Sequence, residues 1–292
     1  MDYFLLSMVV LCFTANQIAF KAFTRGVMKT GSSYFLFTFF HMSLALAIFV
    51  VSGIDLGHVH PQTLVIGIVF GIFQLGVLLG LTKALAEGPA SYTSLFFATG
   101  LLIPLVLGLV FWEEKMLAVQ AAGIVLLFVS LFIGGKNGGS AGKKANPRWL
   151  LWCFIAFLCN GVNMSLAKLQ ARLVLGKEVN EFLAIAFMVS VPLALLVFLF
   201  SREKGAAQFT VGRIPLLLAL VAVVGVSNAA ANQWAVSILS RLPTVIVFPV
   251  MNGGSVFLTS LASVVLFKEK LNVLGVVGLL VGIAALAMVC MR

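Results

Sequence analysis

The sequence predicts an all-α integral membrane protein: ten transmembrane helices arranged as two inverted five-helix repeats. Three observations predict it. The first is composition, with 62% hydrophobic and only 10% charged residues among 292, where a soluble domain carries about 25% charged residues. The second is a succession of apolar stretches, each near the ~20 residues that a helix needs to cross the hydrocarbon core. The third is an internal match between the two halves of the chain.

The expected spans are 3–24, 32–53, 62–86, 90–111, 116–135, 149–171, 179–200, 212–238, 243–266 and 271–290. The opening "MDYFLLSMVV" lacks a basic n-region, so the first span is expected to be retained. The only low-complexity segment is "GGKNGGSAGKKANPR", Gly134–Arg148. It divides the chain into a first repeat (1–135), a basic Gly-rich linker (136–147) and a second repeat (148–292). Cys12, Cys153, Cys159 and Cys290 all fall within spans and read as small buried residues, not as a disulfide or metal framework. The net charge of +10 resides at span ends and in the linker, which suits anionic headgroups and gives no reason to expect nucleic acid.

Sliding residues 11–50 by 147 positions pairs "CFTANQIAFK" with "CNGVNMSLAK" and continues to Val50 and Val197. Matches include Cys12/Cys159, Asn16/Asn163, Lys21/Lys168, Arg25/Arg172, Phe35/Phe182 and Ser43/Ser190. After a slip of seven residues the register runs through Gly71/Gly225, Gln74/Asn228, Pro89/Pro243 and Gly100/Gly254. One further residue brings Glu114-Lys115 onto Glu269-Lys270 and Gly123 onto Gly278. Because five spans is an odd number, the second half must enter the membrane in the opposite sense. Such inverted repeats are typical of secondary transporters, with the binding site near the midplane at the repeat interface.

A 5+5 duplication, Gly-rich spans and the turns "FWEEK" and "FKEK" after the fourth span of each half resemble the drug/metabolite transporter superfamily, in its EamA-type branch. The resemblance covers nearly the whole chain. It implies a carrier that alternates between inward-open and outward-open states, with no substrate specified, and a bacterial inner (plasma) membrane as its location. It also implies cytoplasmic termini. Lys and Arg counts point the other way, with thirteen in the loops after odd-numbered spans and six on the side of the termini. The two orientations stay open.

All nine acids lie at or near span ends. A carboxylate at depth, suited to an organic cation or a coupling proton, is therefore not expected. Neutral, zwitterionic or anionic solutes are favoured. The mid-span amides Asn16 and Asn163, with Gln74, Asn228, Asn232 and Asn252, are the expected solute-binding groups, and Trp234 a wall of the site. An amide in lipid would leave polar groups unpaired, so each must face protein or water. Asn228 and Asn232, four apart in "SNAAANQW", share a helix face. Interhelical hydrogen bonding is the alternative for each.

Lys21 and Lys168 stand five residues beyond their asparagines, near the ends of spans 1 and 6, and Lys83 closes span 3. They are the expected entrance or gate residues, with simple snorkelling to the interface as the alternative. Pro249 and Gly253-Gly254 are expected either to loosen span 9 or to pack it closely. His41, mid-span 2, is the one ionisable candidate for a proton site at depth, but it is expected to be a hydrogen-bonded neutral core residue; His58 and His60 are not expected to form a metal site. Walker, G-x-S-x-G and H-E-x-x-H motifs are absent from the sequence. No enzyme, cofactor or metal is expected. The reading is a secondary transporter of a small polar metabolite, an amino acid or related compound, in contact with membrane lipid. The rival readings are a flippase for an amphipathic substrate and a membrane-embedded enzyme or assembly subunit.

Overall fold

The computed structural model describes residues 2–88, 90–135, 146–175, 177–202, 207–268 and 273–291. Among these, regular structure is helical: α1 Asp2–Gly26, α2 Gly31–Val51, α3 Pro61–Glu87, α4 Ala90–Thr99, α5 Leu102–Phe111, α6 Ala118–Gly135, α7 Pro147–Leu173, α8 Val179–Arg202, α9 Ile214–Leu239, α10 Thr244–Phe267 and α11 Val273–Cys290. Eight of them, α1–α3 and α7–α11, are long and apolar enough to cross a membrane. They mark a multi-pass membrane protein. The fifth expected span is the 18-residue α6. The fourth is not one helix but two, α4 and α5. Most of the linker, 136–145, lies outside the described residues, as does the Glu269-Lys270 turn.

The chain forms two compact units that do not follow the repeat halves. One joins Tyr3–Leu75 with Gln170–Ser237, and the other joins Gly76–Leu169 with Ile238–Arg292. Each draws on both halves of the sequence.

In the first unit α2 packs against α8. The buried residues Phe35, Thr38, Met42, Ala45 and Phe49 recur at alternating intervals of three and four, which aligns them on one helix face. Phe49 meets Phe187 of α8 at 5.6 Å between ring centroids. On α1, Phe23 stacks on Phe37 at 4.0 Å, and both join a cluster with Leu220 and Val224 of α9. Gly225 of α9 lets that helix approach Leu44, whose atoms stand 2.8–3.0 Å from where a Cβ would be. Arg213 donates from Nη1 to the Gly26 carbonyl at 3.0 Å, closing the end of α1.

In the second unit α6 packs against α11. The buried stripe of α11 is Gly275, Gly278, Gly282, Ala285 and Val289. Lipid is as apolar as the helices, so close van der Waals contact between small residues supplies the attraction. Ser130 Oγ donates to the Gly278 carbonyl at 2.6 Å, and Gln120 Nε2 donates to the Met291 carbonyl at 3.0 Å.

The proline-and-glycine expectation for span 9 resolves toward packing. Helix α10 runs unbroken through Pro249, and Gly253 brings it against Leu127 of α6 and Leu286 of α11. Span 4 is the one that opens. Pro104 has no N–H to give the Gly100 carbonyl, so the chain tightens into three-residue hydrogen bonds at 100–101 before resuming as α5. Asn160 Nδ2 donates to Phe97 O at 3.2 Å beside this break, and Gly161 of α7 allows the close approach to Gly100.

Candidate functional site

The expected solute-binding residues divide between the units. Asn16, Gln74, Asn228, Asn232 and Trp234 belong to the first, while Asn163 and Asn252 belong to the second. Asn163 is buried and the other six are half-buried. Asn232 Nδ2 donates to both the backbone carbonyl and Oδ1 of Asn228, at 2.8 and 2.7 Å. The two amides thus form one pre-arranged polar patch on α9. Next to it Gln233 Nε2 donates to Asn180 Oδ1 of α8 at 2.8 Å. Asn252 Nδ2 is turned back onto Phe248 O of its own helix at 2.9 Å, which occupies that donor locally.

Lys21 and Lys83 are half-buried. Lys168 rules out the snorkelling alternative. Its side chain is only 6% exposed and pairs with Glu114, itself 9% exposed, at 2.8 Å. The ammonium also donates to Leu239 O and Leu242 O at 2.9 and 3.0 Å. An ammonium has three donors and all three are used. Glu114 Oε2 accepts from the Thr244 backbone N–H at 2.8 Å and from the Thr244 hydroxyl.

The local backbone explains this centre. Leu239 ends α9 and Thr244 begins α10, so their carbonyl and amide ends carry partial negative and positive charge respectively. Lys168 caps the first and Glu114 the second. Glu113 takes a left-handed conformation (φ 54°), and the Glu114 N–H bonds to Gly108 O at 3.0 Å, which folds the turn back under α5. A Cβ at Gly108 would stand 2.5 Å from Thr244 Oγ1 and 2.9 Å from Glu114 Oε2. Glycine makes room for the pair.

Glu114 and Thr244 are not among the site residues the sequence predicts. The signal was present in three separate repeat matches, Lys21/Lys168, Glu114/Glu269 and Pro89/Pro243, whose second-unit members Lys168, Glu114 and Pro243-Thr244 converge here.

A second polar cluster ties the loop before α3 to the start of α8. Thr63 Oγ1 donates to Glu178 Oε2 at 2.6 Å and receives Gln170 Nε2 at 2.8 Å. The His60 ring and backbone N–H also meet the Glu178 carboxylate. Burial works against ionisation of Glu178, yet these hydrogen bonds together hold its carboxyl below the usual range. His58 pairs with Asp55 at 2.7 Å, and this hydrogen bond lowers the Asp55 carboxyl as well. Each histidine of "HVH" has its own carboxylate. Among the described residues no group of three His, Cys, Asp or Glu is placed to hold a metal.

His41 contradicts its expectation too. It is 3% exposed in mid-α2, and both ring nitrogens lack a hydrogen-bond partner. Its neighbours are aromatic: Phe20 lies edge-on at 5.4 Å and Phe37 tilted at 5.5 Å.

No protein-family model matches the chain, and no curated protein matches it. A solved structure described only as "Crystal structure of protein" is similar in fold, with a TM-score of 0.76 at 13% identity. The match covers 99% of this chain and 96% of that one. The fold is shared by solved proteins. At this identity the likeness carries the fold alone.

Proposed function

We propose that the protein is a secondary transporter of the drug/metabolite type, moving a small polar metabolite, an amino acid or related compound, by alternating access. One observation supports this most. Helices matched by the sequence repeat pack side by side, α2 with α8 in one unit and α6 with α11 in the other. A pseudo-two-fold axis in the membrane plane brings matching helices together in that way, and inverted repeats of this kind build alternating-access carriers. The Asn228–Asn232 patch offers uncharged hydrogen-bonding groups suited to a zwitterion or neutral solute. The Lys168–Glu114 pair has no donor to spare for a solute. It serves as a tie between α7 and the turn joining α9 to α10.

A thermal-shift panel of amino acids and related metabolites on the purified full chain identifies solutes to test in proteoliposome counterflow. At least one stabilising solute is expected to show saturable counterflow. Loss of one hydrogen-bonding amide in Asn228→Ala is expected to weaken it about tenfold with unaltered thermal unfolding. Scrambling of a lipid analogue without solute counterflow would overturn the reading.

A further inference from the structure

We infer that His41 is the proton-binding group that couples solute movement to a proton gradient, an inference that rests on the transport reading above. The observation is a buried imidazole with neither nitrogen hydrogen-bonded, enclosed by the rings of Phe20 and Phe37. A neutral imidazole carries one donor and one acceptor. Leaving both unmet in an apolar site costs stability, and natural structures retain such groups rarely and for a reason.

Structural hydrogen bonding supplies no reason, because there is no partner. The repeat supplies none either: the matching position on α8 is Met188, an exposed apolar residue, so the buried imidazole is particular to α2. What remains is a group whose partners arrive in another state.

The surroundings suit a proton over a metal or a permanent counter-ion. Helices α1, α8 and α9 pack on α2. Their titratable side chains are Asp2, Tyr3, Cys12, Lys21 and Arg25 on α1 and Glu181 and Arg202 on α8, with none on α9. The only carboxylates among these stand in the first turns of α1 and α8. Tyr34, on α2 itself, lies two turns before His41. Without a buried carboxylate to hold the imidazolium, the occluded ring is neutral. Parting of Phe20 from Phe37 would admit water. A proton then adds to the ring lone pair, both nitrogens become donors, and the proton leaves to water when the ring is exposed on the other side. No other imidazole or carboxylate among the described residues lies at such depth in a span.

The test uses the full chain in proteoliposomes of phosphatidylethanolamine and phosphatidylglycerol, with a radiolabelled amino-acid mixture as probe. With one proton per solute, a difference of one pH unit sustains a solute gradient of about tenfold. Wild type is expected to build that gradient, and His41→Gln to equilibrate the probe without building it. A gradient retained in His41→Gln, or equilibration without a gradient in wild type, overturns the inference and leaves the transport reading standing. Absence of any protein-dependent flux overturns the transport reading instead. Nitrogen-15 NMR then judges the ring itself, with the His41 signals assigned as those lost in His41→Gln. A pH-dependent change in these signals is expected in vesicles under the imposed gradient, and signals that do not change with pH under those conditions exclude proton binding. Should His41→Gln misfold, His41→Phe takes its place, since a third phenyl ring suits the pocket.

Discussion

The Lys168 centre and the His41 nest are opposite solutions to burying a polar side chain. Lys168 and Glu114 are charged, yet each nitrogen donor and both carboxylate oxygens have a partner, and two of those partners are helix ends of the favourable polarity. His41 is uncharged and has none. Burial alone therefore does not distinguish a structural residue from a functional one. The number of unmet valences does. A saturated network fixes one arrangement of its elements, whereas an orphaned group leaves free energy that another conformation can recover.

The largest expected effect comes from breaking the saturated side of this contrast. Lys168→Met strands Glu114 without its cation, and loss of one partner from a buried pair costs about 3–5 kcal/mol. Thermal unfolding followed by tryptophan fluorescence should show a clear fall in midpoint. Lys168→Met with Glu114→Gln should recover most of the loss, because the remaining amide is neutral and still accepts from Thr244. Equal midpoints for the single variant and wild type would mean that the pair does not hold this end of α7.

The orphaned side should respond with the opposite sign. His41→Phe removes two unmet polar atoms from an aromatic pocket, and each such atom costs about 1–3 kcal/mol. Part of that gain is lost to imperfect fit of the larger ring, so a net stabilisation of about 1 kcal/mol is expected. A rise in midpoint sharpens the contrast. A fall comparable to that of Lys168→Met would show that His41 is a structural residue after all.

The sequence made the helices legible and left much of the polar chemistry hidden, for physical reasons. Span length and apolarity are local properties, so nine of the ten expected segments correspond to single helices. The break in span 4 falls one turn before Pro104, whereas the helix through Pro249 keeps its course while Gly253 packs closely. For Lys168 the sequence offers only distance along one helix, which does not separate a gate or snorkelling residue from a buried one. Its partners arrive from a turn 54 residues earlier and from helix ends more than 70 residues later, and only tertiary structure brings those together. The polarity of Asn228 and Asn232 was local and was read correctly as one face. The compact units crossing the repeat halves were not legible, since the repeat describes ancestry of sequence and not which segments pack.

The smallest expected effect belongs to a case between the two extremes. The Glu178 cluster is well bonded through Thr63 and His60, yet Gln170 Oε1 in the same cluster is buried and unmet. Hydrogen bonds to its charged form hold the Glu178 carboxyl below its ordinary value, so the folded protein binds that proton less readily than the unfolded chain. Its contribution to stability is therefore complete above the unfolded value of about 4.3. It is lost as the pH falls through the folded value. Glu178→Gln should leave thermal unfolding at pH 7 lower than wild type by a modest margin, since Thr63 still has an acceptor, and the margin should shrink as the pH is taken below about 4. The cluster ties the loop before α3 to α8, so protease nicking of residues 55–60 offers a second readout, with Glu178→Gln cut faster than wild type at neutral pH. A margin that grows on acidification would reverse the sign and show that the protonated carboxyl, not the carboxylate, is what this cluster stabilises.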